Sequence, residues 1–297
     1  MGLFFSVVLP IVSIFGLGYI LQRIRVLDVK SVSTVAIYIF LPALAFNSLY
    51  NANFNKGFTI VIIFAFSLLF CMIVLNKILA KIFKWPQSVE SASILTTAFM
   101  NGGNYGVPVI IFVLPEAAVA YGVFFMVLQQ IIMNSFGVYY ASRSRSGALK
   151  AVKTVFKMPA TYAVILAFLC QGLTLEVPAS ILSVLEMLGA ATIPIMMVNL
   201  GMQLASITSL KFNWQVITSA TIIRMVISPL LALGFVALLD VEPMIASVII
   251  IVASMPSAAT TTLLALEFDT EPDLVSSITL VTTLISVVSL TVLLNFI

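Results

Sequence analysis

The chain has 297 residues, of which 62% are hydrophobic and only 8% are charged, with a net charge of +3. A soluble domain of this length cannot bury so much apolar surface, so the composition excludes a soluble protein and predicts an integral membrane protein. Histidine is absent, and the two cysteines, Cys71 and Cys170, lie inside apolar stretches. The composition therefore indicates no metal site and no disulfide, and we expect no cofactor.

Apolar stretches of about 20 residues, the length that crosses a bilayer as a helix, recur along the chain. Short connections separate them, so neighbouring stretches are predicted to run antiparallel. The first cations, Arg23 and Arg25, follow the first stretch, which predicts a retained helix rather than a cleaved signal peptide. The ten predicted spans cover residues 3–22, 31–50, 57–76, 89–113, 118–140, 158–175, 180–204, 213–238, 243–266 and 273–296.

The positive residues predict the orientation of these spans. With the N-terminus outside, twelve of the 14 lysine and arginine residues fall in cytoplasmic loops, while Lys56 falls on the other side and Arg224 lies within a span. An excess of cytoplasmic cations is the positive-inside pattern. The sequence thus predicts a multi-pass protein of the cytoplasmic (inner) membrane with both termini outside.

The longest basic loop separates five spans from five, and an odd number per half means that the second half enters from the opposite side. Prolines recur at corresponding places: Pro42 and Pro194 are each followed five residues later by an asparagine, Asn47 and Asn199. We interpret this as an inverted repeat of five helices, with chance recurrence of prolines as the alternative. The predicted units are residues 1–141, the basic loop 142–157 and residues 158–297.

Two predicted spans break in the middle, at matching places in the two halves. Span four contains NGGNYGVP over residues 101–108, and span nine contains SMPS over residues 254–257. Unwound main chain survives in a membrane only where protein or a wet cavity satisfies it, and paired interruptions point to the binding site of a secondary transporter. The N-termini of the half-helices favour an anion there, and their carbonyl ends favour a cation.

Four segments in order resemble the auxin efflux carrier family, which includes the plant PIN-formed auxin transporters and many bacterial carriers. They are LPALAF over residues 41–46, NGGNYGVP over 101–108, RMVISP over 224–229 and EFDTEPDL over 267–274. The resemblance implies an all-α fold of ten transmembrane helices, a 5+5 inverted repeat with broken, crossing helices four and nine. This fold is sodium/proton-antiporter-like and bile-acid-symporter-like, and the resemblance implies organic-anion transport.

The resemblance also implies a division between the spans. Spans one, two, six and seven form a scaffold that often dimerises, and spans three to five and eight to ten form a transport domain that moves elevator-fashion. Plant members carry a long hydrophilic middle loop, where this chain has only the basic segment 142–157, as in a prokaryotic member. Some relatives carry an acidic group on span three, where residues 57–76 of this chain have none.

The residues of the first break are the strongest candidates for binding. Asn101 and Asn104 can donate to a carboxylate without the cost of burying a cation, or they can cap the exposed half-helix ends. Gly102, Gly103 and Gly106 let the main chain unwind and let a ligand come close.

Other polar residues of the spans have two interpretations each. Gln130 and Asn134 share a helix face, and the resemblance implies that Gln129 or Gln130 contacts substrate; the alternative is hydrogen bonding between helices. Hydroxyls of the second break, including that of Thr260, either serve a carboxylate or bond freed carbonyls. Asn47, Asn199 and Gln203 either close the cavity or join helices, and Tyr105 either stacks on a ligand or plugs the crossing. The predicted substrate-binding set is Asn101, Gly103, Asn104, Tyr105, Pro108, Gln129, Gln130, Asn134, Asn47, Asn199, Ser254, Pro256 and Ser257.

Two charged residues lie within predicted spans. Arg224 is either a counter-charge that attracts anions or a structural group, and the family resemblance favours the structural role. Glu186, in span seven, is predicted near the outer surface. The acidic cluster at residues 267–273 is explained by capping of the last span, since Pro272 suits a first helical turn.

The sequence favours a secondary carrier that moves a small organic anion, such as a dicarboxylate or an auxin-like weak acid. Efflux of an anion from a negative-inside cell is favourable by itself, and no phosphate-binding loop indicates direct use of ATP. The alternative is a sodium- or proton-coupled symporter of the bile-acid type, and a channel is a third hypothesis. An enzyme is not expected, because no nucleophile and base pair is present. The predicted partners are the substrate anion, the bilayer, a second copy bound through the scaffold, and Na⁺ or H⁺, without nucleic acid.

Overall fold

The computed structural model describes residues 4–52, 55–142, 158–207 and 210–295, and these ranges are built almost wholly from helices. Apart from Ser142, the predicted basic loop lies outside them. The helices are α1 (Phe5–Ile24), α2 (Val29–Tyr50), α3 (Lys56–Ile82), α4 (Gln87–Ala98), α5 (Gly102–Val113), α6 (Glu116–Ser142), α7 (Pro159–Gly172), α8 (Ala179–Ala205), α9 (Trp214–Leu238), α10 (Pro243–Ala253), α11 (Thr260–Phe268) and α12 (Pro272–Leu293).

The length and composition of the helices suit a bilayer. Within the described ranges, α1, α2, α3, α6, α8, α9 and α12 are each long and apolar enough to cross a membrane, while α5, α7 and α10 are shorter apolar helices. Large apolar side chains such as Leu17, Leu166 and Leu238 are exposed, which is stable in lipid and costly in water. The chain is therefore a multi-pass membrane protein whose described ranges are helical.

Proline shapes several of these helices. Four π-helical turns each end two residues before a proline, because the proline ring clashes with the carbonyl four residues earlier and a wider turn relieves the clash. These turns cover Phe4–Val8, Ala36–Phe40, Gly102–Gly106 and Ile223–Ile227. A further π turn, Met133–Gly137 in α6, has no proline after it, and it lies beside the candidate site described below.

Helices α1 and α8 are in main-chain contact. A Cβ atom added to Gly201 would lie 1.9 Å from the carbonyl oxygen of Phe15, and one added to Gly18 would lie 2.1 Å from that of Val198. Small residues permit such close approach, and dispersion contacts then hold the two helices together in lipid. Any larger side chain at Gly18 or Gly201 must separate α1 from α8.

Polar side chains join α2 to α7 and α8. The side-chain amide of Gln171 on α7 donates to the carbonyl oxygens of Leu49 (2.6 Å) and Tyr50 (3.0 Å) at the end of α2. Thr192 Oγ1 on α8 donates to the carbonyl oxygen of Phe40, at 2.9 Å. The bonds from Gln171 satisfy carbonyls at the end of α2, where no further turn can donate to them, and the bond from Thr192 reaches a carbonyl in the middle of α2, two residues before Pro42.

A second set of bonds joins α3, α4, α9 and α12. Buried Asn76 on α3 donates to Thr97 Oγ1 (2.7 Å) and accepts from Ser93 Oγ (2.6 Å), both on α4. Lys211, just before α9, forms an ion pair of 2.8 Å with Glu271, just before α12. The main hydrophobic core lies among α3–α6 and α9–α12, and it extends to α1.

Candidate functional site

The two interruptions predicted from the sequence lie at the gaps between α4 and α5 and between α10 and α11, and the two gaps meet. The first gap is shorter than the predicted residues 101–108: only residues 99–101 are unwound, whereas Gly102–Gly106 forms a π turn and Pro108 lies in the α-helical turn that follows. The prediction that the glycines unwind the main chain is therefore wrong for Gly102, Gly103 and Gly106. The main-chain N–H of Asn101 donates to the carbonyl oxygen of Pro256 (2.8 Å), and that of Ala258 donates to Phe99 (2.9 Å). Met100 and Ser257 face each other in this short antiparallel pairing. The unwound segments thus satisfy each other, as main chain in a membrane must.

Side chains complete the hydrogen bonding at the end of α4. Ser257 Oγ donates to the carbonyl oxygen of Thr96 (2.5 Å), and Gln129 Nε2 on α6 donates to that of Ala98 (3.4 Å). Main-chain N–H of Ser257 donates in turn to Thr282 Oγ1 on α12, at 3.3 Å. Ser257, predicted to bind substrate or to bond freed carbonyls, here bonds a carbonyl.

Arg224 lies at the same junction and is fully buried. Its Nη1 donates to the carbonyl oxygen of Thr97 at 2.7 Å, and its Nη2 donates to the carbonyl oxygen of Ala253 and to Ser228 Oγ. Ser228 Oγ also donates to the carbonyl oxygen of Ala253, at 2.7 Å. Arg224 therefore touches the C-terminal ends of both α4 and α10.

A cavity of about 50 Å³ lies beside the crossing, between α2 and α8 on one side and α5, α6 and α11 on the other. This volume accommodates a few water molecules. Every described residue that lines it is uncharged, and six of them carry amide side chains. The amides are Asn101, Asn104, Gln129, Gln130, Asn199 and Gln203.

Two of these amides have a buried polar atom without a partner among the described residues: Asn101 Nδ2, a donor, and Gln203 Oε1, an acceptor. A buried polar group that lacks a hydrogen bond costs about 1–3 kcal/mol. Asn101 lies at the first break and Gln203 on α8, so the two residues belong to opposite walls of one cavity. Together they favour an occupant that both accepts and donates hydrogen bonds.

The α2 and α8 wall of the cavity is held by a buried network. Asn199 Nδ2 donates to Ser33 Oγ (2.9 Å), which donates back to Asn199 Oδ1 (3.2 Å), and Gln203 Nε2 donates to the same hydroxyl (3.4 Å). Asn199 is thus occupied with joining helices, while Gln203 retains its free acceptor. Nothing in the sequence marks Ser33 as a site residue, because only the folded chain brings it to α8.

The glycines of the first break lie at the cavity. Gly102 and Gly103 line it, and a Cβ atom on Gly103 would lie 2.8 Å from the sulfur of Met126. Gly106 instead faces Met255, whose Cγ would lie 3.3 Å from an added Cβ atom. Thr260 and Ala258 extend the lining toward the start of α11. Four methionines that the sequence analysis did not select, Met100, Met126, Met133 and Met196, also line the cavity.

Several predicted residues lie elsewhere. Tyr105 is fully buried on another side of α5, where its ring meets that of Phe15 edge to face at 5.0 Å. Asn134 Nδ2 donates to the carbonyl oxygen of Gln130 (2.9 Å) and approaches the sulfur of Met158 (3.0 Å), and Asn134 does not line the cavity.

The remaining predicted residues are also separate from the cavity lining. Asn47 lines a second, larger cavity of about 580 Å³. Ser254 Oγ donates within its own helix to Ile250, at 2.7 Å. Pro108 is buried in the first turn after the π segment of α5. Pro256 contributes its carbonyl oxygen to the crossing, and Glu186 is exposed on α8.

Broken helices that enclose a polar cavity inside an apolar, multi-pass bundle define the class of this protein, a membrane transporter. A family model described as "Membrane transport protein" matches residues 3–154 and 142–294. The chain belongs to that family, which confirms the resemblance to the auxin efflux carriers seen in the four motifs.

Two archaeal proteins are similar to this chain over nearly their whole length. An uncharacterized transporter of Methanothermobacter thermautotrophicus is 29% identical over 297 residues, covering 95% of this chain and 95% of the relative. The uncharacterized transporter MJ1031 of Methanocaldococcus jannaschii is 26% identical over 294 residues, covering 95% and 94%.

Proposed function

We propose that this protein is a secondary carrier that moves a small organic anion, such as a dicarboxylate or an auxin-like weak acid. We further propose that the polar residues of the cavity at the crossing bind its carboxylate group, and that the cavity widens to admit the rest of the substrate, since in this conformation it accommodates only a few water molecules. The observation that carries the proposal is that two residues on opposite walls of one amide-lined cavity, Asn101 and Gln203, each have a buried atom, Nδ2 and Oε1, that has no hydrogen-bond partner among the described residues. A protonated carboxyl group, a hydroxyl or an indole N–H supplies the donor for Gln203, and a carboxylate oxygen supplies the acceptor for Asn101.

Two helix N-termini support an anionic substrate. α5 begins at Gly102 and α11 begins at Thr260, and both residues line the cavity. The N-terminus of a helix carries a partial positive charge and unsatisfied N–H groups, so it stabilises an anion without a buried cation. A neutral amide lining then orients the carboxylate without the desolvation cost of a lysine or arginine.

We propose that the chain crosses the membrane ten times, with α4 and α5 as span four and α10 and α11 as span nine, as a 5+5 inverted repeat with both termini outside. The distribution of lysine and arginine supports this orientation. The antiparallel pairing of the two breaks is the arrangement expected where two inverted repeats meet.

In this proposal, α1, α2, α7 and α8 form a scaffold, and the remaining helices form a transport domain that moves as an elevator. Hydrogen bonds support each group internally, as those of Gln171 and Asn199 do for the scaffold and those of Asn76 and Arg224 do for the transport domain. Apolar and aromatic contacts, such as Phe15 against Tyr105, lie between the groups, and such contacts slide more easily than hydrogen bonds. A scaffold that stays fixed also suits a homodimer in the cytoplasmic membrane.

The two cavities support alternating access. Along α2, Ser33 and Leu41 line the small cavity and Asn47 lines the larger one. Between them, Leu44 and Ala45 are buried in an apolar cluster with Val107 of α5. In the proposed orientation the larger cavity opens to the outside, and this cluster separates it from the substrate site. Efflux is the proposed direction, since the membrane potential drives an anion outward by about 2.3 kcal/mol per charge per 100 mV.

The test is transport by the purified protein in proteoliposomes, with radiolabelled malate and indole-3-acetate as probes. We expect at least one probe to move with saturable kinetics and with stimulation by unlabelled anion on the opposite side. Protein-free liposomes provide the background. Flux that neither saturates nor responds to the opposite side would indicate a channel, and absence of transport for both probes and for a wider set of organic acids would contradict the proposed substrate class.

A further inference from the structure

We propose that the guanidinium of Arg224 is a built-in cation at the helix crossing, which takes the position that a coupling metal cation would otherwise occupy. The inference concerns the coupling of the proposed carrier and in that respect rests on the proposed function. Its structural part, a fixed cation between two helix ends, stands on the contacts of Arg224 alone.

The position of Arg224 is defined by two helix C-termini that belong to opposite halves of the chain. Nη1 binds the carbonyl oxygen of Thr97, one residue before the end of α4, and Nη2 binds that of Ala253, the last residue of α10. The C-terminus of a helix carries about half a negative charge from the aligned peptide dipoles. Two such ends together balance about one positive charge, which is the charge of one guanidinium.

The groups that accept hydrogen bonds from Arg224 carry no formal charge. Within the described ranges its side chain has no carboxylate partner; its hydrogen bonds go to two main-chain carbonyls and to Ser228 Oγ. A fully buried cation requires compensation, and here only the helix ends and one hydroxyl provide it. This is the pattern of oxygen ligands that holds a Na⁺ ion in transporters with broken helices, where carbonyl ends coordinate the ion.

The carbonyl oxygens at the crossing are also occupied by the protein itself. Thr96 accepts from Ser257 Oγ, Ala98 accepts from Gln129 Nε2, and Phe99 accepts from the N–H of Ala258. Ala253 accepts from Arg224 and from Ser228 Oγ. A metal cation would have to displace these donors, and it would be repelled by the guanidinium at close range.

Two consequences follow from this arrangement. Transport by the wild-type protein does not depend on Na⁺, since its cation is permanently attached to α9. Removal of the side chain leaves an uncompensated carbonyl-lined space, which small cations in solution can fill. The second consequence provides a test that needs no substrate.

The first experiment measures thermal unfolding of purified Arg224→Ala, Arg224→Met and Arg224→Lys in choline chloride, sodium chloride and non-denaturing guanidinium chloride at equal ionic strength. We expect guanidinium to raise the Tm of Arg224→Ala by about 5 °C or more over choline, by binding the folded state. We expect Arg224→Lys to be the most stable variant, because it keeps the charge, and Arg224→Met to be destabilised and not rescued, because its side chain fills the space without charge.

Lys211→Met is the matched control, since it removes a cation outside the crossing. We expect guanidinium to shift the Tm of this variant by no more than it shifts the Tm of the wild-type protein. If Arg224→Met is as stable as Arg224→Lys, or if guanidinium shifts Arg224→Ala no more than wild type, Arg224 serves only to fill space and the inference is wrong.

The second experiment uses the wild-type protein and decides the matter if the variants do not fold. Radioactive Na⁺ is equilibrated with purified protein in detergent, with choline as the competing background ion. We expect no saturable binding. Saturable binding near one ion per chain would overturn the inference, whereas failure to find a transported anion would affect only the proposed function.

Discussion

The two breaks of the crossing have different chemistry although they occupy matching places in the two halves. At the first break, Asn101 Nδ2 is a donor without a partner in the part of the chain that the structure describes, and Asn104 and Gly103 line the cavity beside it. At the second break, Ser254 and Ser257 donate their hydroxyls to main-chain carbonyls, at 2.7 and 2.5 Å. The sequence already favoured the asparagines of the first break for binding, and it left both interpretations open for the hydroxyls of the second break.

The difference indicates a division of roles between the halves. A hydroxyl that already donates to a carbonyl contributes to the stability of the crossing, whereas a buried amide without a partner is available to a ligand. We therefore expect the first break to bind the substrate and the second break to stabilise the crossing. Variants at the two breaks should affect different measurements, transport in the first case and stability in the second.

The largest effect is expected for Asn101→Asp, which keeps the shape of the side chain but replaces the free donor with an acceptor and a negative charge. We expect transport efficiency to fall about 100-fold, because loss of a buried hydrogen bond to a charged group costs about 3 kcal/mol. Proteoliposome transport measures it. The control is Asn295→Asp at the exposed end of α12, and equal transport by Asn101→Asp and the control would contradict the assignment.

Asn104→Ala is expected to lower transport about 30-fold while leaving expression and Tm near wild type. Asn104 lines the cavity in the first turn of α5, so its loss removes a contact of the ligand rather than one of the fold. Transport and thermal unfolding should be measured on the same preparation. A lower Tm together with normal transport would show that Asn104 supports the break instead.

At the second break, Ser257→Ala is expected to lower the free energy of unfolding by about 2 kcal/mol, because the carbonyl oxygen of Thr96 loses its donor from the opposite segment. Ser254→Ala, the matched variant, should change it by less than about 0.5 kcal/mol, because its hydroxyl bonds only within its own helix. Thermal unfolding of the two variants is the measurement. Equal shifts in Tm would contradict the prediction that the Ser257 hydroxyl stabilises the crossing more than the Ser254 hydroxyl does.

The smallest effect is expected for Gln130→Ala, which we predict to raise KM about threefold with Tm unchanged, because Gln130 is half-buried at the edge of the cavity. Gln129→Ala is the comparison. Its Nε2 donates to the end of α4, so that variant should lower Tm as well. If the two variants changed KM and Tm to the same extent, the separate roles assigned to Gln130 and Gln129, in ligand binding and in stability, would be wrong.

The sequence predicted the places of the two breaks because glycine and proline act locally. Pro256 removes a main-chain donor within the second gap, whatever surrounds it. Gly102, Gly103 and Pro108 mark the start of α5 directly after the first gap, and not the unwound segment itself. The sequence did not predict which polar side chains would share the cavity. Asn134 follows Gln130 by four residues, yet its side-chain amide donates to the carbonyl oxygen of Gln130 and approaches the sulfur of Met158, and Asn134 does not line the cavity.

The amino-acid sequence by itself determined the membrane class, the family and the interrupted helices, since these depend on composition and on local main-chain preferences. Only the tertiary structure decided that Asn104 faces the cavity while its neighbour Tyr105 faces Phe15, and that Arg224 joins the ends of α4 and α10. The physical reason is that almost every side chain in lipid-surrounded helices is apolar, so periodicity gives little information on helix rotation. Packing between segments far apart in the chain fixes that rotation, and with it the site.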